Sequence, residues 1–177
     1  TRHTDAIFEA VAESGMRYWG GNCLADLKSA SGPLYMDTPS SLRESERLIR
    51  RWHQSSPLIS YALCPRFAVS CSEKILRETA ELQQQHQLLV HTHASENKEE
   101  VALVKKRSGF NNVDYFSHLG LLSPSTVIVH GIHLTKGELG KIVRSKTKLV
   151  HCPSSNLKLA SGVAPITEYL DRGMIVG

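Results

Sequence analysis

Leu88-Leu89-Val90-His91-Thr92-His93-Ala94-Ser95-Glu96 is the stretch on which the reading of this chain turns. Leu88, Leu89 and Val90 form a short apolar run of the kind buried in a parallel sheet. The run ends in histidines, and Glu96 follows where the chain turns polar through Asn97 to Glu100. An imidazole at a strand end with a carboxylate nearby can hold a metal and move protons onto one substrate. A His-x-x-Glu pair arises often by chance, so a second stretch of the same design matters more. Thr126-Val127-Ile128-Val129-His130 is again apolar and again ends in histidine. Two buried strands that each deliver an imidazole at the C-terminal end are hard to explain by packing alone.

Outward from these strands, the sequence alternates strand and helix signals. Thr4 is expected to cap a helix with Ile7, Phe8 and Val11 on its apolar face, ending near Gly15. Met16 to Cys23 reads as a strand, followed by a long loop holding Asp26, Gly32 and Pro33. Ser41-x-x-Glu44 reads as a capping box for a helix burying Leu48, Ile49 and Trp52. Leu58 to Cys64 is the next strand, and Ser70-x-x-Glu73 is expected to cap the helix that leads to Leu88. A helix over Glu99 to Lys106 ends near Gly109, and Asn111 to Leu122 reads as helix with a loop. Thr135-x-x-Glu138 caps a helix over Leu139 to Val143, and Lys148 to Cys152 is a strand. Pro165 to Leu170 is helical, with Gly173 at its end, and Met174 to Val176 begins another strand. Such alternation predicts parallel strands joined by crossover helices, as doubly wound sheets or (β/α)8 barrels. The barrel is preferred because the chemistry falls at the C-terminal ends of several strands. Trp19-Gly20-Gly21-Asn22 is not the Gly-rich turn of a dinucleotide site.

Composition narrows the function classes. The 177 residues are 41% hydrophobic, enough for one sizeable core, and residues 1–177 are read as a single domain. The net charge is +4, with basic residues scattered, as at Arg50-Arg51 and Lys105-Lys106-Arg107, so no nucleic-acid partner is expected. The four cysteines, Cys23, Cys64, Cys71 and Cys152, lack a C-x-x-C spacing, which argues against a disulfide framework or zinc knuckle. Reduced thiols fit a cytoplasmic protein. No apolar run is long enough to span a membrane, and from the polar opening Thr1 to Asp5 no signal peptide is expected.

Four segments together resemble the metal-dependent amidohydrolase superfamily, in the branch holding guanine deaminase, adenosine-type deaminases and triazine chlorohydrolases. They are Cys64-Pro65-Arg66-Phe67-Ala68-Val69-Ser70-Cys71-Ser72, His91 to Glu96, Val129-His130-Gly131-Ile132-His133-Leu134, and His151-Cys152-Pro153-Ser154-Ser155-Asn156-Leu157-Lys158-Leu159. The resemblance implies a partial (β/α)8 TIM barrel of the amidohydrolase type, covering about strands three to eight with the eighth truncated. It implies one divalent metal per complete site, zinc or alternatively iron, with His93 as a ligand and Glu96 as the catalytic proton shuttle. His130 would act as a catalytic group and substrate contact, with Arg66 and Asn156 as further substrate contacts.

The chain also departs from the family pattern. No His-x-His upstream of His91 matches the family's first-strand ligands, and the last-strand aspartate is missing before Gly177. The expectation is therefore a central part of a longer barrel. Bland readings stand beside the functional ones. His93 could be a buried histidine bonded to a carbonyl, Glu96 an acid favoured at a helix start, and Arg66 a surface residue. His91 shares the strand face of His93 and reads as support behind a ligand. His133 is expected to line a loop, Ser155 to shape one, and Cys71 and Cys152 to fill the core. His3, His53, His86 and His118 read as surface residues. The expected function is metal-dependent hydrolysis of carbon–nitrogen bonds other than peptide bonds, as hydrolytic deamination of a purine base or adenosine-like nucleoside. One alternative is a triazine-type chlorohydrolase. Another is a non-catalytic barrel fragment. The expected partners are a small heterocyclic substrate and further copies of the chain, with no membrane.

Overall fold

The computed structural model describes residues 3–177, which pack as two compact units. Of the described residues, unit one comprises 3–66 and 70–90, and unit two comprises 67–69 and 91–177.

In unit one, helix α1 (Thr4–Ser14) precedes strands β1 (Tyr18–Gly20) and β2 (Cys23–Leu24). Helix α2 (Lys28–Ser31), a 3-10 turn (Gly32–Leu34), α3 (Thr38–Trp52), β3 (Ile59–Pro65) and α4 (Glu73–His86) follow, before β4 (Leu89–Ala94) begins. Its named strands pair in parallel. Tyr18 pairs with Ile59, Cys23 with Cys64, and Ala62 with Leu89, giving the order β1-β3-β4 with β2 also on β3. Met16 to Cys23 is therefore not one strand. Gly21 interrupts it, and a Cβ there would collide with the Ala62 carbonyl. Phe8, Leu48, Tyr61, Leu63, Ile75 and Leu76 are fully buried. Phe8 stacks on Trp52 at 5.1 Å and meets Tyr18 edge-on at 5.3 Å. The Asp5 carboxylate ties α1 to α3, accepting from Arg47, from Arg51 at 3.0 Å and from Trp52 Nε1 at 2.7 Å.

Three expected caps lie elsewhere. The α1 cap position is His3, with no side-chain cap bond, and Thr4 is the first helical residue. In α3, Asp37 accepts from Ser40 N at 3.0 Å and Pro39 fits the first turn, so the helix starts ahead of Ser41. Ser41 instead lies buried in α3, its hydroxyl donating to Met36 O. In α4 the cap is Ser72, whose Oγ accepts from Ile75 N at 3.2 Å and donates to Asp26. Ser70 is buried, and its carbonyl accepts from Leu27 N. The stretch expected to be a loop around Gly32 holds α2 and the 3-10 turn.

In unit two, β4 continues from His91, followed by α5 (Lys98–Ser108), α6 (Asn112–His118), β5 (Thr126–His130) and α7 (Lys136–Ser145). Strand β6 (Lys148–Val150), α8 (Pro153–Lys158), α9 (Ile166–Asp171) and β7 (Ile175–Val176) complete it. The order is β4-β5-β6-β7, with Ile128 beside Leu149 and Leu149 beside Val176 in parallel register. Strand β6 ends at Val150, short of Cys152, because Pro153 opens α8, a helix that the periodic signals miss. The capping box at Thr135 is present as expected: Thr135 Oγ1 accepts from Glu138 N, and Glu138 accepts from Thr135 N at 2.9 Å. The other Glu138 oxygen accepts from Val113 N at 2.8 Å, so this fully buried acid also ties α7 to α6. Val104, Phe116, Ile128 and Ile142 form the apolar centre. Among the described residues, no helix is long and apolar enough to cross a membrane.

Candidate active site

Strand β4 buries Val90, Thr92 and Ala94, and its period of two leaves His91 and His93 half-buried together on the opposite face. Their rings lie 5.6 Å apart. Phe67 pairs with His93 in a parallel bridge, and the Arg107 guanidinium donates to the carbonyls of Ala68 and Val69. Burial pushes the His91 imidazole below its ordinary pKa, and a charge on His93 would push it further.

After Ala94 the chain turns sharply. Ser95 takes a left-handed conformation, φ 55°, unusual for a residue with a Cβ. Its carbonyl accepts from Ile132 N at 2.9 Å and His133 N at 3.0 Å, while Ala94 O accepts from Gly131 N at 3.0 Å. The turns that follow β4 and β5 therefore brace each other. On the second turn His130 also has a positive φ, 75°, followed by Gly131 at 57°. A Cβ at Gly131 would press on the Leu149 side chain, and the positive φ favours glycine there.

These turns bring His93, Glu96 and His130 together. The His93 and His130 rings are 5.5 Å apart, and His130 Nε2 lies 3.7 Å from Glu96 Oε1. His130 is 5% exposed, and its Nδ1 is 2.7 Å from Asn156 Oδ1. An amide oxygen only accepts, so His130 Nδ1 donates to it, and Nε2 is the ring nitrogen that faces Glu96. Asn156 comes from α8 and is buried, and its Nδ2 has no hydrogen-bond partner. Buried side-chain atoms of Thr92, Ser95 and His151 are likewise unpaired. The unpaired Asn156 amide beside His130 is a donor that a polar ligand would satisfy.

The other sequence candidates are placed as follows. Arg66 lies in unit one, just after β3, with its main-chain N–H donating to Leu24 O at 3.0 Å. His133 donates from Nε2 to Ser161 O at 2.8 Å and so holds its loop. Ser155 is exposed on α8, Cys71 is buried and Cys152 half-buried. His3, His86 and His118 are exposed as expected, whereas His53 is half-buried. Glu100 went unnoticed in the sequence. It is 5% exposed, and its carboxylate accepts from Ser95 N at 3.2 Å, Glu96 N at 2.8 Å and Asn112 Nδ2. Burial pushes its pKa up, against the lowering effect of main-chain N–H bonds. Only the polar run Glu99-Glu100 hinted at it, and that run reads equally as a helix start.

A metal can be tested against this donor set. Among the described residues, no group of three His, Cys, Asp or Glu side chains is placed to hold a metal ion. A catalytic zinc takes three protein ligands and a water. The residues present thus fit part of a metal site, with imidazole donors of the type zinc prefers, and do not close one by themselves.

Comparisons with known proteins bear on the family and the fold. A 5'-deoxyadenosine deaminase from Methanothermobacter thermautotrophicus is 36% identical over 98% of this chain and 40% of its own. A guanine deaminase from C. acetobutylicum, solved with guanine bound, superposes with a TM-score of 0.92 at 32% identity, over 98% of this chain and 42% of its own. An atrazine chlorohydrolase from Arthrobacter aurescens, solved with zinc, shares the fold at a TM-score of 0.90 and 22% identity, over 98% of this chain and 40% of its own. The chain thus spans about two fifths of the length of these relatives and carries part of an amidohydrolase-type (β/α)8 barrel. The amidohydrolase family model matches residues 1–177 from end to end, and the chain belongs to that family.

Proposed function

We propose that this chain carries the proton-transfer half of a metal-dependent deaminase acting on a purine base or adenosine-like nucleoside. The observation behind this reading is Glu96 facing Nε2 of His130 at 3.7 Å, beside His93 at a strand end. The likeness to 5'-deoxyadenosine and guanine deaminases supports the substrate class. His93 is read as the metal ligand that this chain supplies, with zinc as the metal and iron as the alternative, and the remaining ligands outside this chain. When bound, such a metal lowers the pKa of water toward neutrality and so makes a nucleophile available.

The chain's own groups do the rest. Glu96 Oε1 takes a proton as water adds to the ring carbon bearing the amino group, then returns it to the ring nitrogen or the leaving ammonia. His130 Nε2 is read as the group that hydrogen-bonds the attacking water or the substrate, its ring held in place by Asn156. Asn156 Nδ2, unpaired, is read as a donor to the substrate. We read residues 1–177 as one central part of a catalytic barrel in a cytoplasmic, homo-oligomeric protein without nucleic-acid or membrane partners.

The test is a product assay on the metal-loaded protein with guanine, adenosine, 5'-deoxyadenosine and a chlorotriazine. Ammonia from a purine substrate is the expected result. Chloride release with no ammonia would move the assignment to the chlorohydrolase chemistry.

A further inference from the structure

We propose that Glu100 is the positioning residue for Glu96, clamping the turn that carries the proton-transfer carboxylate; this rests on Glu96 acting in the reaction as proposed above. The Glu100 carboxylate accepts from three donors, while the like charge of Glu96 acts on it as well. Oε2 accepts from the main-chain N–H of Glu96 itself, at 2.8 Å. Oε1 accepts from Ser95 N at 3.2 Å and from Asn112 Nδ2, so α6 is anchored to the same group. Glu100 is itself fixed at the start of α5, where its N–H donates to Asn97 Oδ1 at 2.9 Å.

The turn needs such a clamp. Ser95 is held at φ 55°, where a side chain is disfavoured, and its carbonyl already serves Ile132 and His133. Its N–H and that of Glu96 point the other way, into a buried space where an unmade hydrogen bond is costly. A carboxylate is the one side chain that can accept from three donors with two oxygens and bring no donor of its own. By holding Ser95 and Glu96 from one side while the His130–His133 turn holds Ser95 from the other, Glu100 sets the separation between Glu96 and His130. Misplacement of a reacting group by about 1 Å can cost on the order of a hundredfold in rate.

The proposal is tested in the intact, metal-loaded enzyme with Glu100→Gln, Glu96→Gln and the double variant. An amide at position 100 sets an N–H against one of the three donors. Glu100→Gln is expected to lower kcat at least about tenfold, with KM changed less than about threefold and metal content unchanged. Placed on top of Glu96→Gln, it should cost less than about twofold, because a group that acts through Glu96 has nothing left to position. Amide hydrogen exchange at Glu96 should accelerate at least about tenfold in Glu100→Gln. Equal kcat losses in both backgrounds, or an unchanged kcat and unchanged exchange in Glu100→Gln, would overturn the positioning role. If Glu100→Gln does not fold, Glu100→Asp keeps the charge, shortens the reach and should show the same pattern. Full turnover in Glu96→Gln alone would instead remove the proton-transfer reading of Glu96.

Discussion

At the scale of single residues, the account depends on how imidazole and carboxylate protons are shared. His93→Ala should abolish metal content and turnover together, measured by metal analysis alongside ammonia release. Asn156→Ala removes the group bonded directly to the His130 ring and frees the ring to turn. It should lower turnover by about 10- to 100-fold, the usual cost of removing a partner that orients a functional histidine. A rate within about twofold of wild type would show that Asn156 neither orients His130 nor contacts the substrate. Sequence reading reached His93, Glu96, His130 and Asn156 because each lies on or near a recognisable strand end or in a motif of known relatives. It could not reach Glu100. A buried carboxylate that holds main-chain N–H groups has no composition signal distinct from the solvated acids at a helix start, and only the fold reveals its partners.

Among the elements, the strands at Thr126 and Leu88 were legible because apolar parallel strands read as continuous runs. The capping box at Thr135 was legible for a different reason, since both halves of its reciprocal bond lie within four residues. The motifs at Ser41 and Ser70 have the same pattern but lost the cap to neighbours. Asp37 with Pro39 starts α3 earlier, and Asp26, brought in from far along the chain, orients Ser72. Local sequence cannot weigh that long-range bond. Thr135→Ala should therefore lower stability by about 1 kcal/mol, whereas Ser41→Ala should leave the α3 start unchanged, as read by helix-resolved hydrogen exchange. The α1–α3 tie gives a pH-dependent prediction. The hydrogen bond from Arg47, with Trp52 and Arg51 nearby, holds the Asp5 carboxyl below its ordinary value of 3.8. A carboxylate with a depressed pKa stabilises the fold above its unfolded pKa, and that contribution fades as pH falls through the folded value. Asp5→Asn should thus lower Tm at pH 7, and the difference should shrink steadily below about pH 4. A difference that holds constant down to pH 2 would mean that the bond does not depend on the charge.

For the molecule as a whole, the alternation of strand and helix made the parallel class readable, while the ligand count bounds what residues 1–177 can do alone. The sheet order ends on β1 in unit one and on β7 in unit two. Trp19 on β1 is 45% exposed and Ile175 on β7 is 53% exposed. Apolar strand edges of this kind seek partners. Expressed alone, the segment should self-associate, and light scattering should find oligomers or aggregates rather than a stable monomer of 19.6 kDa. With no group of three potential ligands among the described residues, it should also fail to hold zinc through dialysis.

The central claim is that Glu96 moves the proton while His93 holds the metal, and one paired measurement bears on it most directly. Metal content and ammonia release are determined for wild type and Glu96→Gln in the intact protein, with a purine substrate that wild type deaminates. The account predicts the same metal content in both, and turnover in Glu96→Gln lower by at least about a hundredfold, the scale of a lost general acid–base. Metal lost in parallel with activity, or turnover left near wild type, would contradict it.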